Sequence, residues 1–129
     1  MSAAAAWLAV AAGGALGSVA RFGTGQVGRA LAPASPWAAT LVVNVIGSFA
    51  IGLLFAWFLA RPAPDWIRLG LTTGLLGGFT TFSAFSIETL ELMRTTGIPG
   101  AAGYVAATLG LGLLACALGW WVARSVLLA

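Results

Sequence analysis

The charged residues of this chain stand so far apart that they divide it into long apolar stretches. Residues 1–20 carry no charged side chain, and neither do 30–60, 69–87 or 95–123. Crossing the hydrocarbon core of a bilayer takes roughly 20 residues of helix. Each stretch meets that length or comes close to it. Membrane-spanning strands are about half as long and alternate polar with apolar positions, so these runs predict helices. The segments between them break helices: Pro33, Ser35 and Pro36, then Arg61-Pro62-Ala63-Pro64-Asp65, then Gly97, Pro99 and Gly100. The pattern predicts an all-α integral membrane protein, a single domain over 1–129 with four transmembrane helices at roughly 3–29, 37–60, 67–94 and 98–127. Trp37, Trp57, Trp66, Trp120 and Trp121 fall near span ends, where indoles favour the headgroup region. A cleaved signal begins with a positive segment, whereas the first charge here is Arg21, so the first span is expected to be retained.

Composition then removes function classes. Only 7% of residues are charged and 60% are hydrophobic, against about 25% charged in a soluble domain. Lipid is therefore the expected solvent for most of the surface, and a multi-pass place in the cell (inner) membrane is the expected location. All six basic residues are arginine and they are scattered, which makes interfacial anchors rather than a nucleic-acid surface. Cys116 is alone, so neither a disulfide nor a thiol metal site is expected. Histidine and lysine are absent, as are a phosphate loop and a metal-ligand cluster, and the chain is expected not to be an enzyme. Asp65, Glu88 and Glu91 lie outside the middle of the spans, whereas a proton-coupled pump normally keeps a carboxylate or histidine within the membrane. A passive pathway fits better. A small multidrug exporter would need a first-helix carboxylate, which residues 1–20 lack. A non-transporting scaffold subunit is the other alternative.

Arginine bias normally sets orientation. With four spans, Arg61, Arg68 and Arg124 fall on one side and Arg21, Arg29 and Arg94 on the other. If Arg21 instead lies inside the membrane the tally is two against three, still a weak bias, so the expectation is insertion both ways up and an antiparallel dual-topology dimer, with any pathway at the interface between copies.

The polar residues within the spans recur at helical spacing. Gly13, Gly17 and Arg21 repeat every four residues, and so do Gly14 and Ser18, which lets backbones approach closely. Arg21 is then either a snorkelling anchor or an arginine drawing anions to a vestibule. Thr40, Asn44, Ser48 and Gly52 share a face of the second span. Asn44 must find a partner in lipid: an interhelical hydrogen bond or a passing anion. Adjacent Gly77 and Gly78 followed by Thr80 and Thr81 make poor helix, and a break is expected over Gly77–Thr81, near the middle of the third helix. Freed carbonyls at such a break can coordinate a cation. Phe82 and Phe85 are i, i+3 neighbours. They are either packing aromatics or rings whose positive edges, beside Ser83 and Asn44, suit a small anion. Tyr104, Thr108 and Gly112 share a face of the fourth span, as a packing seam or a track of hydroxyls.

The run Gly77-Gly78-Phe79-Thr80-Thr81-Phe82-Ser83-Ala84-Phe85-Ser86 closely resembles the third-helix signature of the Fluc (CrcB) fluoride channel family. Asn44-Val45-Ile46-Gly47-Ser48-Phe49 and Gly13 through Phe22 resemble its second- and first-helix motifs, so the resemblance covers essentially the whole chain. It implies a dual-topology antiparallel homodimer, or paired non-identical subunits, that exports fluoride passively through two interfacial pores. It implies pore residues Asn44, Phe82, Phe85, Ser83, Thr40, Tyr104 and Thr108, with Arg21 at the vestibule. It also implies a structural sodium ion at the dimer centre, held by backbone carbonyls around Gly77 and Thr80. The chain departs from the family pattern at Ala84, often threonine, and at Gly112, often serine.

Overall fold

The computed structural model describes residues 3–127. Those residues form helices, with no strand among them. Helix α1 spans Ala3–Leu31 and α2 spans Trp37–Ala60. Helix α3 (65–79) joins an α-helical turn at Asp65–Leu69, a π-helical segment at Gly70–Leu76 and a last turn at Gly77–Phe79. Thr80 and Thr81 are extended. The chain is helical again over Phe82–Val122 except at Gly97, which divides it into α4 (82–96) and α5 (98–122).

Gly97 has φ 80° and ψ −177°, the one positive φ among the described residues. A side chain would strain that backbone, so glycine is what lets the chain turn here. The turn is sharp. Glu88 and Tyr104 would be about 24 Å apart on a straight helix at 1.5 Å per residue, yet their side chains are hydrogen-bonded at 2.7 Å. Helices α4 and α5 therefore form a hairpin. Pro99 sits in the first turn of α5, where its missing N–H has no helical acceptor to lose.

Three stretches are long and apolar enough to cross a membrane: Ala3–Leu31, Trp37–Ala60 and the run Asp65–Val126. Outward-facing Trp7, Leu8, Leu31 and Leu113 are largely exposed, the surface of a protein whose solvent is lipid.

Two glycine seams hold the helices together. On α1, a Cβ at Gly13 would fall 2.8 Å from the Leu75 amide nitrogen, and one at Gly17 2.8 Å from that of Phe79. From α3, a Cβ at Gly78 would press on the Gly14 carbonyl oxygen. The four-residue glycine strip of the first span thus does what its spacing predicts. The second seam joins α2 to α5: a Cβ at Gly52 would lie 2.9 Å from the Cys116 carbonyl carbon, and one at Gly119 3.0 Å from the Leu53 amide.

The break in α3 is narrower than expected. Gly77 and Gly78 remain helical, and only Thr80 and Thr81 leave the helix. Glycine costs about 1 kcal/mol relative to alanine inside a helix, and here the close approach of Gly78 to α1 offsets part of it. The π-helical segment at Gly70–Leu76 has no signature that propensity would reveal.

Candidate functional site

The chemistry at the helix break is organised around the two extended threonines. Asn44, on α2, clamps the second of them at both ends. Its Nδ2 donates to the Thr81 carbonyl at 3.0 Å, and the Thr81 amide donates to Asn44 Oδ1 at 2.8 Å. The side-chain amide thus stands in for the backbone partner that the broken helix lacks. Thr81 then starts α4 as its N-cap, its Oγ1 accepting from the Ala84 amide at 3.2 Å. Ser83 lies against the same hydroxyl at 3.3 Å. Thr80 closes the end of α3, its amide and hydroxyl both donating to the Leu76 carbonyl at 2.9 Å.

This arrangement leaves acceptors over. The amide of Thr81 is turned to Asn44 and that of Ala84 to Thr81 Oγ1. The carbonyls of Gly77 and Thr80 therefore lose their usual i+4 donors. Gly77 is also open: a Cβ there would meet only the Thr72 carbonyl, at 3.8 Å. Freed carbonyls beside an uncrowded glycine suit an alkali cation, which takes hard oxygen ligands. Among the described residues no cluster of three or more His, Cys, Asp or Glu side chains offers another metal site.

A groove of about 490 Å³ runs past the break, between α3, α2 and the α4–α5 hairpin. Asn44, Thr80, Phe82, Phe85 and Thr108 line it. Phe85 is buried at 8% exposure whereas Phe82 is 77% exposed at the rim, and their ring centroids are 5.5 Å apart with planes at 48°. Phe85 continues onto Tyr104, also at 5.5 Å, and Tyr104 onto Trp37 at 5.5 Å. Tilted pairs like these present ring edges as well as faces. Thr108 is 8% exposed, and its Oγ1, although close to the Tyr104 hydroxyl, makes no hydrogen bond of good geometry among the described residues. A buried hydroxyl left unpaired is costly and points to a ligand or water outside the chain.

A second recess, of about 310 Å³, opens beside the first. Arg21, Arg29, Ser18, Thr40 and Glu88 line it. Thr40 donates to Glu88 Oε1 and Tyr104 to Glu88 Oε2, each at 2.7 Å. Two hydroxyls from α2 and α5 therefore fix one carboxylate on α4.

The structure brings Asn44, Phe82, Phe85, Ser83 and Thr108 together at the break and the groove. It ties Thr40 and Tyr104 to Glu88, and sets Arg21 in the adjoining recess. The sequence reading missed Glu88, taken only as the polar end of a span, although it stands one turn beyond Phe85 on the same face. It also missed Thr81, whose N-cap position was signalled by a threonine opening a new helical stretch.

Fold and site together define a helical membrane protein whose interrupted helix and unpaired donors line an intramembrane groove. A family model described as CrcB-like protein, Camphor Resistance (CrcB), matches residues 8–120. The fluoride-specific ion channel FluC of a Pseudomonas fluorescens strain is 45% identical over 109 residues, covering 84% of this chain and 88% of its own length. FluC of Azotobacter vinelandii is 49% identical over 109 residues with the same coverage, and that of Rhodospirillum centenum 51% over 107 residues, covering 78% and 81%. This chain belongs to the CrcB-like family.

Proposed function

We propose that the protein is a fluoride-specific ion channel, not an enzyme, and that it lets fluoride leave the cell passively. The observation that carries this reading is the Thr108 hydroxyl, buried without a partner in a groove that also holds Asn44 and the Phe82–Phe85 pair. The names of its relatives agree with it.

Fluoride entering the groove must shed water, and each shed water must be replaced by a donor. Thr108 supplies a hydroxyl. Asn44 spends one Nδ2 hydrogen on the Thr81 carbonyl and keeps a second. Ser83 adds a hydroxyl at the break, and the edges of Phe82 and Phe85 add weak positive charge. None of these donors carries a full charge, so an ion held by them can also leave. Arg21 and Arg29 raise the local concentration of anions at the neighbouring recess. Thr40 and Tyr104 are engaged by Glu88 and act on the path through the carboxylate they orient. The carbonyls of Gly77 and Thr80 are where a structural sodium ion would rest. When bound, it would supply fixed positive charge beside the path.

The active unit in this reading is an antiparallel homodimer of a single four-span domain in the cell (inner) membrane, with two pores along the subunit interface. The helical hairpin at Gly97 supports four crossings. The exposed ring of Phe82 at the groove rim supports a second copy closing the groove. The equal division of arginines supports dual orientation.

The test is ion release from liposomes that contain the purified protein, followed with a fluoride electrode. Fast fluoride release with negligible chloride release is expected. Absence of fluoride release from folded protein would overturn the self-sufficient homodimer and leave either a missing partner subunit or the scaffold reading in its place.

A further inference from the structure

The hydroxyls of this protein divide by where they point. Helical Ser and Thr side chains ordinarily satisfy themselves by donating to the carbonyl four residues back. Thr24, Thr72, Thr80, Ser86, Thr89, Thr95 and Thr96 all do so, at 2.7–3.0 Å. Ser18, Ser48, Thr73, Thr108 and Ser125 do not, and no other hydrogen bond is found for these hydroxyls among the described residues; only Ser48 and Thr108 of the five lie at the groove. Between them lies Gly112, half-buried, and a Cβ built on it would meet a single atom, Ser48 Oγ, at 3.4 Å. The wall of α5 is therefore bare at the level of Gly112, and the one polar atom facing that bare patch comes from α2.

We propose that Ser48 is a further ion-contacting residue of the channel, its hydroxyl donating to the anion opposite Gly112 as the station next to Thr108. The inference rests on the fluoride-channel reading and extends it. Asn44 and Ser48 are one turn apart on α2, and Thr108 and Gly112 one turn apart on α5. Asn44 and Thr108 thus supply donors at one level of the groove. Ser48 alone supplies one at the next, about 6 Å along. Gly112 leaves the width there that a partly hydrated ion requires. An anion leaving Thr108 without Ser48 would have no donor to exchange it for until it reached water.

Initial fluoride efflux rates from liposomes test this, at matched amounts of protein that elutes as folded. Wild-type protein is expected to conduct, and Ser48→Ala to lower the rate about tenfold, the worth of a hydrogen bond to a charged partner. Combining Ser48→Ala with Gly112→Ser should restore much of the rate, because the new hydroxyl enters the space that Ser48 Oγ vacates. Combining it with Gly112→Ala should not, because it refills the volume without a donor. An unchanged rate in Ser48→Ala, or equal recovery in the two double variants, would overturn the assignment while leaving the channel reading intact. Loss of wild-type conduction would take both down. If Ser48→Ala does not elute as folded protein, Ser48→Cys keeps the volume with a much weaker donor. A severalfold drop is then expected, and no drop overturns the proposal.

Discussion

The α1–α3 seam and the groove between α2 and α5 are written in the same vocabulary of glycine, serine and threonine, yet they do opposite things. In the seam, glycines let one backbone press on another. Gly13, Gly17 and Gly78 each have main-chain atoms where a Cβ would go. In the groove, Gly112 faces a side-chain hydroxyl instead of a backbone, Thr108 keeps its hydroxyl unpaired, and the Phe82–Phe85 pair takes the place of close main-chain contact. Small residues are thus ambiguous by themselves. What separates the two surfaces is what stands opposite the glycines: main chain in the seam, side chains at Gly47 and Gly112 in the groove.

That contrast can be broken from either side. The largest effect is expected at Gly17→Leu. The added side chain would overlap the Leu75 carbonyl, and overpacking of rigid main chain costs about 3 kcal/mol or more. The variant should be recovered poorly and melt well below wild type in detergent. Normal yield and melting would mean that the seam is not as tight as described.

Asn44→Ala comes next. It strips both partners from the Thr81 backbone, and two poorly solvated groups left unpaired cost about 2–4 kcal/mol. Fluoride flux should fall along with thermal stability. A variant that melts normally while losing flux would show Asn44 serving the ion alone. One that melts low but conducts fully would show it serving only the helix break.

The smallest effect is expected at Thr24→Ala. Its hydroxyl is spent on the Ala20 carbonyl at an exposed site, and removal should change stability by less than about 0.5 kcal/mol. Flux should stay within error of wild type. A marked loss of flux would mean that back-bonded hydroxyls also serve the path.

The helical class was legible because lipid leaves few options. A run of about 20 apolar residues has no alternative but to become a helix, and Pro and Gly mark its ends. The α1 seam was legible for the same reason, since glycines four apart must fall on one face. The exact place of the break was not. Gly77 and Gly78 have the propensity to break α3, but their contact with α1 holds them helical, while Asn44 draws Thr81 out from a helix 37 positions away in sequence. The Glu88 clamp was hidden likewise. Its two hydroxyl partners come from α2 and α5, and only the reversal at Gly97 brings Tyr104 back to it. Asn44 itself was read with two possible partners, and the hydrogen bond to Thr81 proved to be one of them. Long-range pairing of this kind leaves no periodicity to read.

The central claim, that the groove carries ions while the seam only packs, turns on Phe85. Its ring is 8% exposed, between Phe82 and Tyr104, and Phe85→Ile keeps the residue apolar while removing the ring edges. The most direct measurement is the initial fluoride efflux rate of Phe85→Ile protein in liposomes, against wild type of equal folded content by elution and melting. A rate at least about tenfold lower is predicted, the consequence of losing about 1.4 kcal/mol or more of ion stabilisation. A rate equal to wild type, from protein that elutes and melts like wild type, would contradict the account.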